Sequence, residues 1–297
     1  MEQPLCFGPE EEAEADRLIR LALAEDLPGP DITSDPLIPA HATVRGVMVF
    51  REEGIVCGIP VVERLLRALD RSIETVLAAS DGTRAARGSA VLEMRGPARS
   101  VLAAERSALN FLQRLSGIAT RTARWVATLR GLSLELLDTR KTIPGWRRLE
   151  KYAVRAGGGR NHRVHLSDQA LLKDNHVRIL RELKLGEPRQ WVETIRRAHP
   201  GLAVELEVES LAELRAAADC GADILLLDNF PLDGLSQAVA EVRTWPEPRP
   251  LLEASGGIDE RRLVAVAKTG VDRISSGALT HSAPAHDVAF DLLEVHS

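Results

Sequence analysis

Cysteine is scarce in this chain, and the cysteines that are present form no motif. The three residues Cys6, Cys57 and Cys220 stand far apart among 297 residues, without a C-x-x-C pair. This spacing argues against a zinc knuckle and against a disulfide framework. We therefore expect a protein of the reducing cytoplasm.

Long apolar runs and excess positive charge are also missing. No run of about 18 apolar residues occurs, and the acidic first 20 residues lack the apolar segment of a signal peptide. We expect a soluble, unprocessed chain that does not enter a membrane. The formal net charge of -5 gives no bulk electrostatic reason to bind nucleic acid. Any anion-binding site must come from a local cluster.

Two common catalytic signatures are missing as well. The histidines show neither H-x-x-x-H nor H-E-x-x-H spacing, so a zinc site is unsupported. No G-x-S-x-G turn supplies a serine nucleophile. The chemistry is therefore expected to depend on charged side chains that bind and orient a substrate.

The first third of the chain mixes helical and strand patterns. A helix is predicted near 11–26 and another over 60–69, with strands over 42–50, 54–58, 75–78 and 90–94. This order predicts an α+β unit with a mostly antiparallel sheet. Residues 98–130 are predicted to form two helices divided at Ser116-Gly117, and we place the domain boundary there.

After Gly131 the pattern changes to repeated strand-helix units. Six strands are predicted, over residues 132–137, 170–172, 203–207, 222–227, 251–254 and 272–274. Amphipathic helices between them indicate a parallel sheet, either an α/β barrel with fewer than eight strands or a doubly wound sheet. The last segment, 287–296, is predicted to be a helix that packs back on the first domain.

Cationic side chains gather at or just after the first two of these strands. They are Arg140, Lys141, His162, Arg163 and Lys173. Several cations brought to one mouth repel each other unless an anion lies between them, so the pattern predicts a site for a dicarboxylate or a phosphate. Solvated surface charge is the alternative for any one arginine.

Carboxylates and small residues follow the later strands. Glu205 and Glu207 project from one face of a strand, and Asp228 ends the next strand, so they could hold ribose hydroxyls or Mg²⁺. Internal salt bridges to arginine or lysine are the alternative for Glu205. The loops 255–257 and 275–277 suit a phosphate at the last two barrel strands, or are ordinary tight turns.

Several motifs in order resemble the quinolinate phosphoribosyltransferase family. They begin with ERSALNFLQRLSGIAT and DTRKTIPGWRRLEKYAVRAGGGRNHRVHLSDQALLKDNH, and continue with LEVES, ILLLDNF, LEASGGI and DRISSGALTHS. The resemblance spans about residues 105–282. It implies an N-terminal α+β open-faced sandwich over residues 1–116, with 282–297 as a candidate addition, and an incomplete TIM-like α/β barrel over residues 117–281.

The resemblance also implies the activity and its residues. The expected reaction joins quinolinate to 5-phosphoribosyl-1-pyrophosphate, with Mg²⁺, and releases carbon dioxide to give nicotinate mononucleotide for NAD biosynthesis. Lys141, Lys173, Glu207 and Asp228 are expected to be catalytic, and the last two to contact the metal. The implied substrate-binding residues are Arg106, Thr139, Arg140, Lys141, His162, Arg163, Lys173, Glu207, Asp228, Ser255, Gly256, Gly257, Ser276 and Gly277. A homodimer or hexamer is expected, in which Arg106 comes from the neighbouring subunit.

Two other interpretations stay open at this point. A lysine at a barrel strand end near a phosphate site also suits a Schiff-base aldolase. A non-catalytic, transport-associated protein could share the fold, because a related family of putative molybdenum-transport proteins carries the D-T-R-K and G-G-G motifs. The intact Lys173-Asp174-Asn175-His176 sequence favours the biosynthetic enzyme.

Overall fold

The computed structural model describes residues 5–297, which form two compact units. The first unit contains the chain up to Arg124 together with Lys141–Gly159 and Leu279–Ser297. The second contains Trp125–Arg140 and Arg160–Ala278. Among the described residues, no helix combines the length and apolar character needed to cross a membrane.

The first part of the described chain mixes helices and strands. The elements up to the long central helix are α1 (Pro9–Asp26), α2 (Ser34–Leu37), β1 (Thr43–Phe50), β2 (Gly54–Ile55), α3 (Ile59–Leu69), β3 (Glu74–Ala78), β4 (Arg84–Ala85), β5 (Ala90–Pro97) and α4 (Ala98–Thr128). The main sheet of the first unit has the order β3-β5-β1 and is antiparallel, as predicted. Helix α3 buries Val61, Val62, Leu65 and Leu66, which recur at the 3.6-residue spacing of one helix face.

Helix α4 is continuous, so the predicted division at Ser116-Gly117 is wrong. Gly117 makes room for a neighbouring segment, because a Cβ there would lie 2.0 Å from the Pro284 carbonyl oxygen. The Ser116 hydroxyl accepts the Cys57 N–H at 3.0 Å and donates to the Cys57 carbonyl at 3.1 Å. Both residues are therefore explained by close packing inside the first unit, and neither interrupts the helix.

In the remaining elements strands and helices alternate, except that two helices, α6 and α7, separate β7 from β8. They are β6 (Glu135–Leu137), α5 (Arg147–Ala156), β7 (Ala170–Leu172), α6 (Asp174–Glu182), α7 (Pro188–Ala198), β8 (Val204–Val208), α8 (Leu211–Ala216), β9 (Ile224–Asp228), α9 (Leu232–Val242), β10 (Leu251–Ser255), α10 (Glu260–Ala267), β11 (Arg273–Ser275), α11 (Ala278–His281) and β12 (Val288–His296). All six predicted barrel strands are present, as β6 to β11.

The strand order of the second unit distinguishes a barrel from a doubly wound sheet. The order is β6-β11-β10-β9-β8-β7, and every observed pair is parallel. Consecutive strands are neighbours from β7 to β11, and the first strand, β6, pairs with the last. In a doubly wound sheet the strands are also parallel, but their order along the sheet reverses near the middle. No ladder joins β6 to β7 in the described chain, so the fold is an incomplete TIM-like barrel.

The last segment is a strand, and the helix predicted for 287–296 is wrong. Strand β12 pairs antiparallel with β1 and completes the first-unit sheet. A Cβ at Gly46 on β1 would lie 2.1 Å from the Phe290 ring, so the glycine makes room for that ring. The edge of β1 opposite β5 needs a hydrogen-bonding partner. Pairing with this edge makes residues 288–296 a strand, although their local pattern also suits a helix.

Candidate active site

Polar residues follow the barrel strands at one edge of the second unit. Because all six strands are parallel, their carboxyl ends lie at the same edge. The structure places there most residues predicted for the site, namely Thr139, Arg140, His162, Arg163, Lys173, Glu207, Asp228, Ser255, Gly256, Gly257, Ser276 and Gly277. The prediction that polar strand ends share one edge is confirmed.

Asp138 organises the first part of this edge, and sequence reasoning did not assign it a role. The side chain is fully buried. One carboxylate oxygen accepts the backbone N–H of His162 at 2.9 Å, and the other accepts the Asn161 amide at 2.6 Å. An aspartate just after a buried strand and before Thr-Arg-Lys was the signal that could have identified it. Asp138 fixes the segment that carries His162 and Arg163.

Two arginines of the cationic cluster lie close enough to affect each other. Arg163 is 9% exposed, and its Nη1 donates to the Gln169 carbonyl at 3.0 Å. Burial, and next the positive charge of Arg140, lower the pKa of the Arg163 guanidinium. Repulsion between two partly desolvated cations favours an anion between them, and guanidinium groups bind carboxylates in a bidentate manner.

The His162 side chain points into the interior of the second unit. It is 8% exposed, and Nε2 lies 3.1 Å from Glu205 Oε2 and 3.4 Å from Glu253 Oε1. Burial opposes a charged imidazole, but the interactions with the two carboxylates outweigh it and raise the pKa of His162 to about 9. Glu205 thus has the internal ion pair that the sequence left open, with histidine as the partner in place of arginine or lysine.

Glu207 and Asp228 form a carboxylate pair on neighbouring strands. Partial burial raises the pKa of Glu207, the Asp174 N–H that donates to Oε1 at 3.2 Å lowers it, and the Asp228 charge raises it further. The Asn229 amide donates to Asp228 Oδ2 at 2.6 Å. Adjacent carboxylates at an exposed edge suit hydroxyl groups or a hard divalent cation.

The loop at residues 255–257 depends on its glycines. Gly256 has φ +86°, and a Cβ there would lie 2.3 Å from Asn229 Oδ1. The following helix contributes less than the sequence suggested. Its first-turn N–H groups at Arg261 and Arg262 donate to the Asp259 carboxylate, which already caps this helix end. We therefore expect an anion at this loop to contact the backbone of the glycines, because the N–H groups at the helix end already have a partner.

Arg262 is a cation at this loop that the sequence reasoning missed. Its Nη1 donates to the Gly257 carbonyl at 3.3 Å, and the side chain is partly buried. A basic residue in the first turn of α10 is unfavourable for the helix dipole, and that was the available signal. The other small-residue loop is anchored too, because the Ser276 hydroxyl donates to the Ile258 carbonyl at 2.7 Å.

Two predicted site residues, Arg106 and Lys141, belong to the first unit. Arg106 is exposed on α4. Lys141 is also exposed, and its carbonyl accepts the Thr280 hydroxyl at 2.8 Å. Two residues along from Lys141, the N–H of Ile143 donates to the buried Glu150 carboxylate at 3.3 Å. The backbone around Lys141 is thus held in place, while the roles of both cations stay predictions.

Comparison with known protein families agrees with this arrangement. Residues 31–116 match the N-terminal domain of quinolinate phosphoribosyl transferase, and residues 118–291 match the C-terminal domain of the same family. The two matches cover most of the chain.

Individual relatives cover nearly the whole chain. A carboxylating nicotinate-nucleotide pyrophosphorylase of Mycobacterium leprae is 42% identical over 280 residues, 92% of this chain and 95% of that protein. A probable enzyme of the same name from Bacillus subtilis is 37% identical over 280 residues, 93% of this chain and 92% of that protein. The solved nicotinate-nucleotide pyrophosphorylase of Francisella tularensis superposes with a TM-score of 0.88 at 38% identity, over 99% of this chain and all of that chain. The chain therefore belongs to the quinolinate phosphoribosyl transferase family.

Proposed function

We propose that this chain joins quinolinate to 5-phosphoribosyl-1-pyrophosphate and releases pyrophosphate and carbon dioxide, giving nicotinate mononucleotide for NAD biosynthesis. The relatives described above carry the name of a carboxylating nicotinate-nucleotide pyrophosphorylase. The observation that carries the proposal is the cation pair Arg140 and Arg163 at the same sheet edge as the carboxylates Glu207 and Asp228.

The arginine pair suits the acid substrate. Quinolinate has two adjacent carboxylates, and a bound dianion would offset both the burial and the Arg140 repulsion that lower the pKa of Arg163. Each guanidinium can donate two parallel hydrogen bonds to a carboxylate, which fixes the orientation of the ring as well as binding it. Arg106 is the further cation that we propose for this acid, supplied by the neighbouring subunit.

The carboxylate pair suits the sugar. Cleavage of the bond between C1 and the pyrophosphate oxygen builds positive charge on the ribose, and the electron pair of that bond leaves with pyrophosphate. Negative side chains placed in advance near C1 stabilise this charge. We propose this role for Glu207 and Asp228, and we propose that Lys141 and Lys173 interact with the leaving group.

Magnesium fits the same two carboxylates. Glu207 and Asp228 offer hard oxygen ligands, and the unfavourable effect of the Asp228 charge on Glu207 is what a divalent cation would relieve. When bound, Mg²⁺ would neutralise charge on the pyrophosphate. We propose this role, with most of the coordination supplied by the pyrophosphate itself.

The remaining steps need orientation of the substrate. The pyridine nitrogen attacks C1, which makes the ring a pyridinium. The bond to the adjacent carboxylate then breaks, its electron pair stays on the ring carbon, and that carbon takes a proton while carbon dioxide leaves. No covalent nucleophile is required, so Arg140 and Arg163 contribute by positioning the ring.

The 5-phosphate is proposed to lie at the two small-residue loops. The first contains Ser255, Gly256 and Gly257, and the second contains Ser276 and Gly277. Gly256 allows close approach of the backbone. The terminal phosphate site of α/β barrels lies at the last two strands, here β10 and β11. A homodimeric or hexameric assembly and a cytoplasmic location are further parts of the proposal.

The test is a direct assay. Purified protein is incubated with Mg²⁺, 5-phosphoribosyl-1-pyrophosphate and either quinolinate or nicotinate, and nicotinate mononucleotide and carbon dioxide are measured. We expect product from quinolinate with one carbon dioxide per nucleotide. Folded protein that forms no product from either acid would contradict the proposed activity and favour the transport-associated alternative.

A matched pair of variants links that activity to the site. Asp228→Asn should lower kcat/KM about 100-fold or more, because a charge that stabilises the transition state is removed. Asp233→Asn removes an exposed carboxylate in the first turn of α9 and should leave the kinetics unchanged. Equal activity in the two variants would remove Asp228 from the mechanism.

A further inference from the structure

A cluster of three ionisable side chains lies inside the second unit, apart from the carboxylate pair assigned to ribose. Glu205 and Glu253 are each 0% exposed, and His162 lies between them at 3.1 and 3.4 Å. Among residues 5–297, no hydrogen-bond donor reaches either carboxylate oxygen of Glu253. Burying two carboxylates beside one imidazole costs free energy unless opposite charges or hydrogen bonds compensate for the lost solvation.

The hydrogen bonds locate one proton of His162. The Arg163 N–H donates to Nδ1 at 2.9 Å, so a neutral ring carries its proton on Nε2. A doubly protonated ring also has a proton on Nε2, but its Nδ1 then carries a proton and cannot accept the Arg163 N–H. In both states the Nε2 proton faces the carboxylates, with Nε2 at 3.1 Å from Glu205 and 3.4 Å from Glu253. A metal at Nε2 would normally require Nδ1 to donate, opposite to what is observed.

The cluster connects directly to the substrate-binding arginine. The side-chain amide of Gln169 donates to Glu205 Oε2 at 2.6 Å, and the backbone carbonyl of Gln169 accepts a hydrogen bond from Arg163 Nη1 at 3.0 Å. His162 and Arg163 are also consecutive residues on the segment that Asp138 fixes. Glu205 therefore acts on Arg163 by two routes, through the histidine ring and through Gln169.

Both carboxylates of the cluster have cationic neighbours. His162 Nε2 lies 3.1 Å from Glu205, and the guanidinium groups of Arg273 and Arg163 interact electrostatically with the same carboxylate. Glu253 has His162 as its charged neighbour at 3.4 Å. Removing one carboxylate would leave the cations of this interior without their counter-charge.

We propose that Glu205 and Glu253 are positioning residues that hold His162 and, through it and Gln169, keep Arg163 in the orientation that binds the acid substrate. The inference rests on the proposed function and deepens it. Neither carboxylate contacts substrate in this scheme, and each acts through another residue.

Glu253→Gln is the first variant to measure, because it keeps the shape and removes the charge. We expect the KM for quinolinate to rise about tenfold, with the KM for 5-phosphoribosyl-1-pyrophosphate changed less than about twofold, since only the acid subsite depends on Arg163. Glu205→Gln should behave in the same way. The matched control is Glu241→Gln, a carboxylate of the second unit that pairs with Arg215 and has no contact with the cluster residues in the described ion pairs.

A double-mutant cycle distinguishes an effect on the position of Arg163 from a general loss of stability. Once Arg163 is replaced by Ala, Glu253→Gln should raise the quinolinate KM no further, because its effect passes through Arg163. Additive effects, an equal rise of both KM values, or unchanged kinetics in active Glu253→Gln protein would overturn the inference. Stoichiometric metal in the purified protein that is lost in Glu253→Gln would also overturn it. Wild-type protein that makes no product would instead refute the proposed function.

Discussion

Gly117 offers a sharp test of how the first unit is packed. Replacing Gly by Ala in a helix interior ordinarily stabilises the helix by about 1 kcal/mol. At Gly117 the new Cβ would lie 2.0 Å from the Pro284 carbonyl oxygen and 3.2 Å from the His286 backbone nitrogen, and real Cβ contacts essentially never fall below 3.0 Å. One backbone segment would have to move by about 1 Å.

The cost of that movement can be estimated from the neighbouring contacts. The His286 N–H donates to the Gln113 carbonyl at 2.9 Å, so the segment after Pro284 is tied to α4 one turn before Gly117. Overpacking costs about 1–3 kcal/mol, and weakening this hydrogen bond adds about 1 kcal/mol. After the helix-propensity gain is subtracted, Gly117→Ala should lower the free energy of unfolding by about 2 kcal/mol.

The measurement is urea unfolding of Gly117→Ala and wild type, followed by circular dichroism. Gly29→Ala is the matched control, because no atom lies within 4 Å of its added Cβ, and it should change stability by less than about 0.5 kcal/mol. If Gly117 instead marked a break between two helices, alanine there would be neutral or stabilising. A Gly117→Ala protein as stable as wild type would therefore refute the packing argument.

Three further outcomes are expected. Gly256→Ala places a side chain at φ +86° against Asn229, so the KM for 5-phosphoribosyl-1-pyrophosphate should rise about tenfold or more while the quinolinate KM changes little; equal changes would contradict a phosphate loop. Glu150→Gln leaves the Arg114 guanidinium without its buried carboxylate, 2.6 Å away, and should cost about 3 kcal/mol in urea unfolding; a loss under about 1 kcal/mol would show that the pair is dispensable. Burial lowers the pKa of His286 below its ordinary 6.5, so the unfolded chain binds a proton that the folded chain does not, and this contribution to stability is lost as pH falls below 6.5. His286→Asn should therefore reduce the loss of stability between pH 7 and pH 5, and an unchanged loss would refute the assignment.

Local patterns predicted much of the second unit. The barrel strands carry short apolar stretches and lead into a polar residue, as at Leu137 before Asp138 and Leu227 before Asp228. Strand boundaries and strand-end polarity depend on neighbouring residues, so the sequence displays them directly. The order of the strands depends on pairing between distant segments, and only the structure excluded the doubly wound alternative.

The errors have one physical cause, which is contact between residues far apart in the chain. The Ser116-Gly117 pair resembles a helix break in the sequence, but Gly117 is needed because the Pro284 carbonyl lies where a Cβ would be. Residues 287–296 have a pattern that also suits a helix, and the open edge of β1 makes them a strand. Tertiary contacts override local preferences of about 1 kcal/mol per residue.

For the candidate site, the sequence by itself determined the residue types: the cations, the carboxylates and the small loops that mark a phosphoribosyl transferase of this family. Tertiary structure decided how these residues are supported. It placed His162 between Glu205 and Glu253, fixed its segment through Asp138, and capped α10 with Asp259. Partners of a buried polar group come from whichever strands surround it, and no pattern within one segment specifies them.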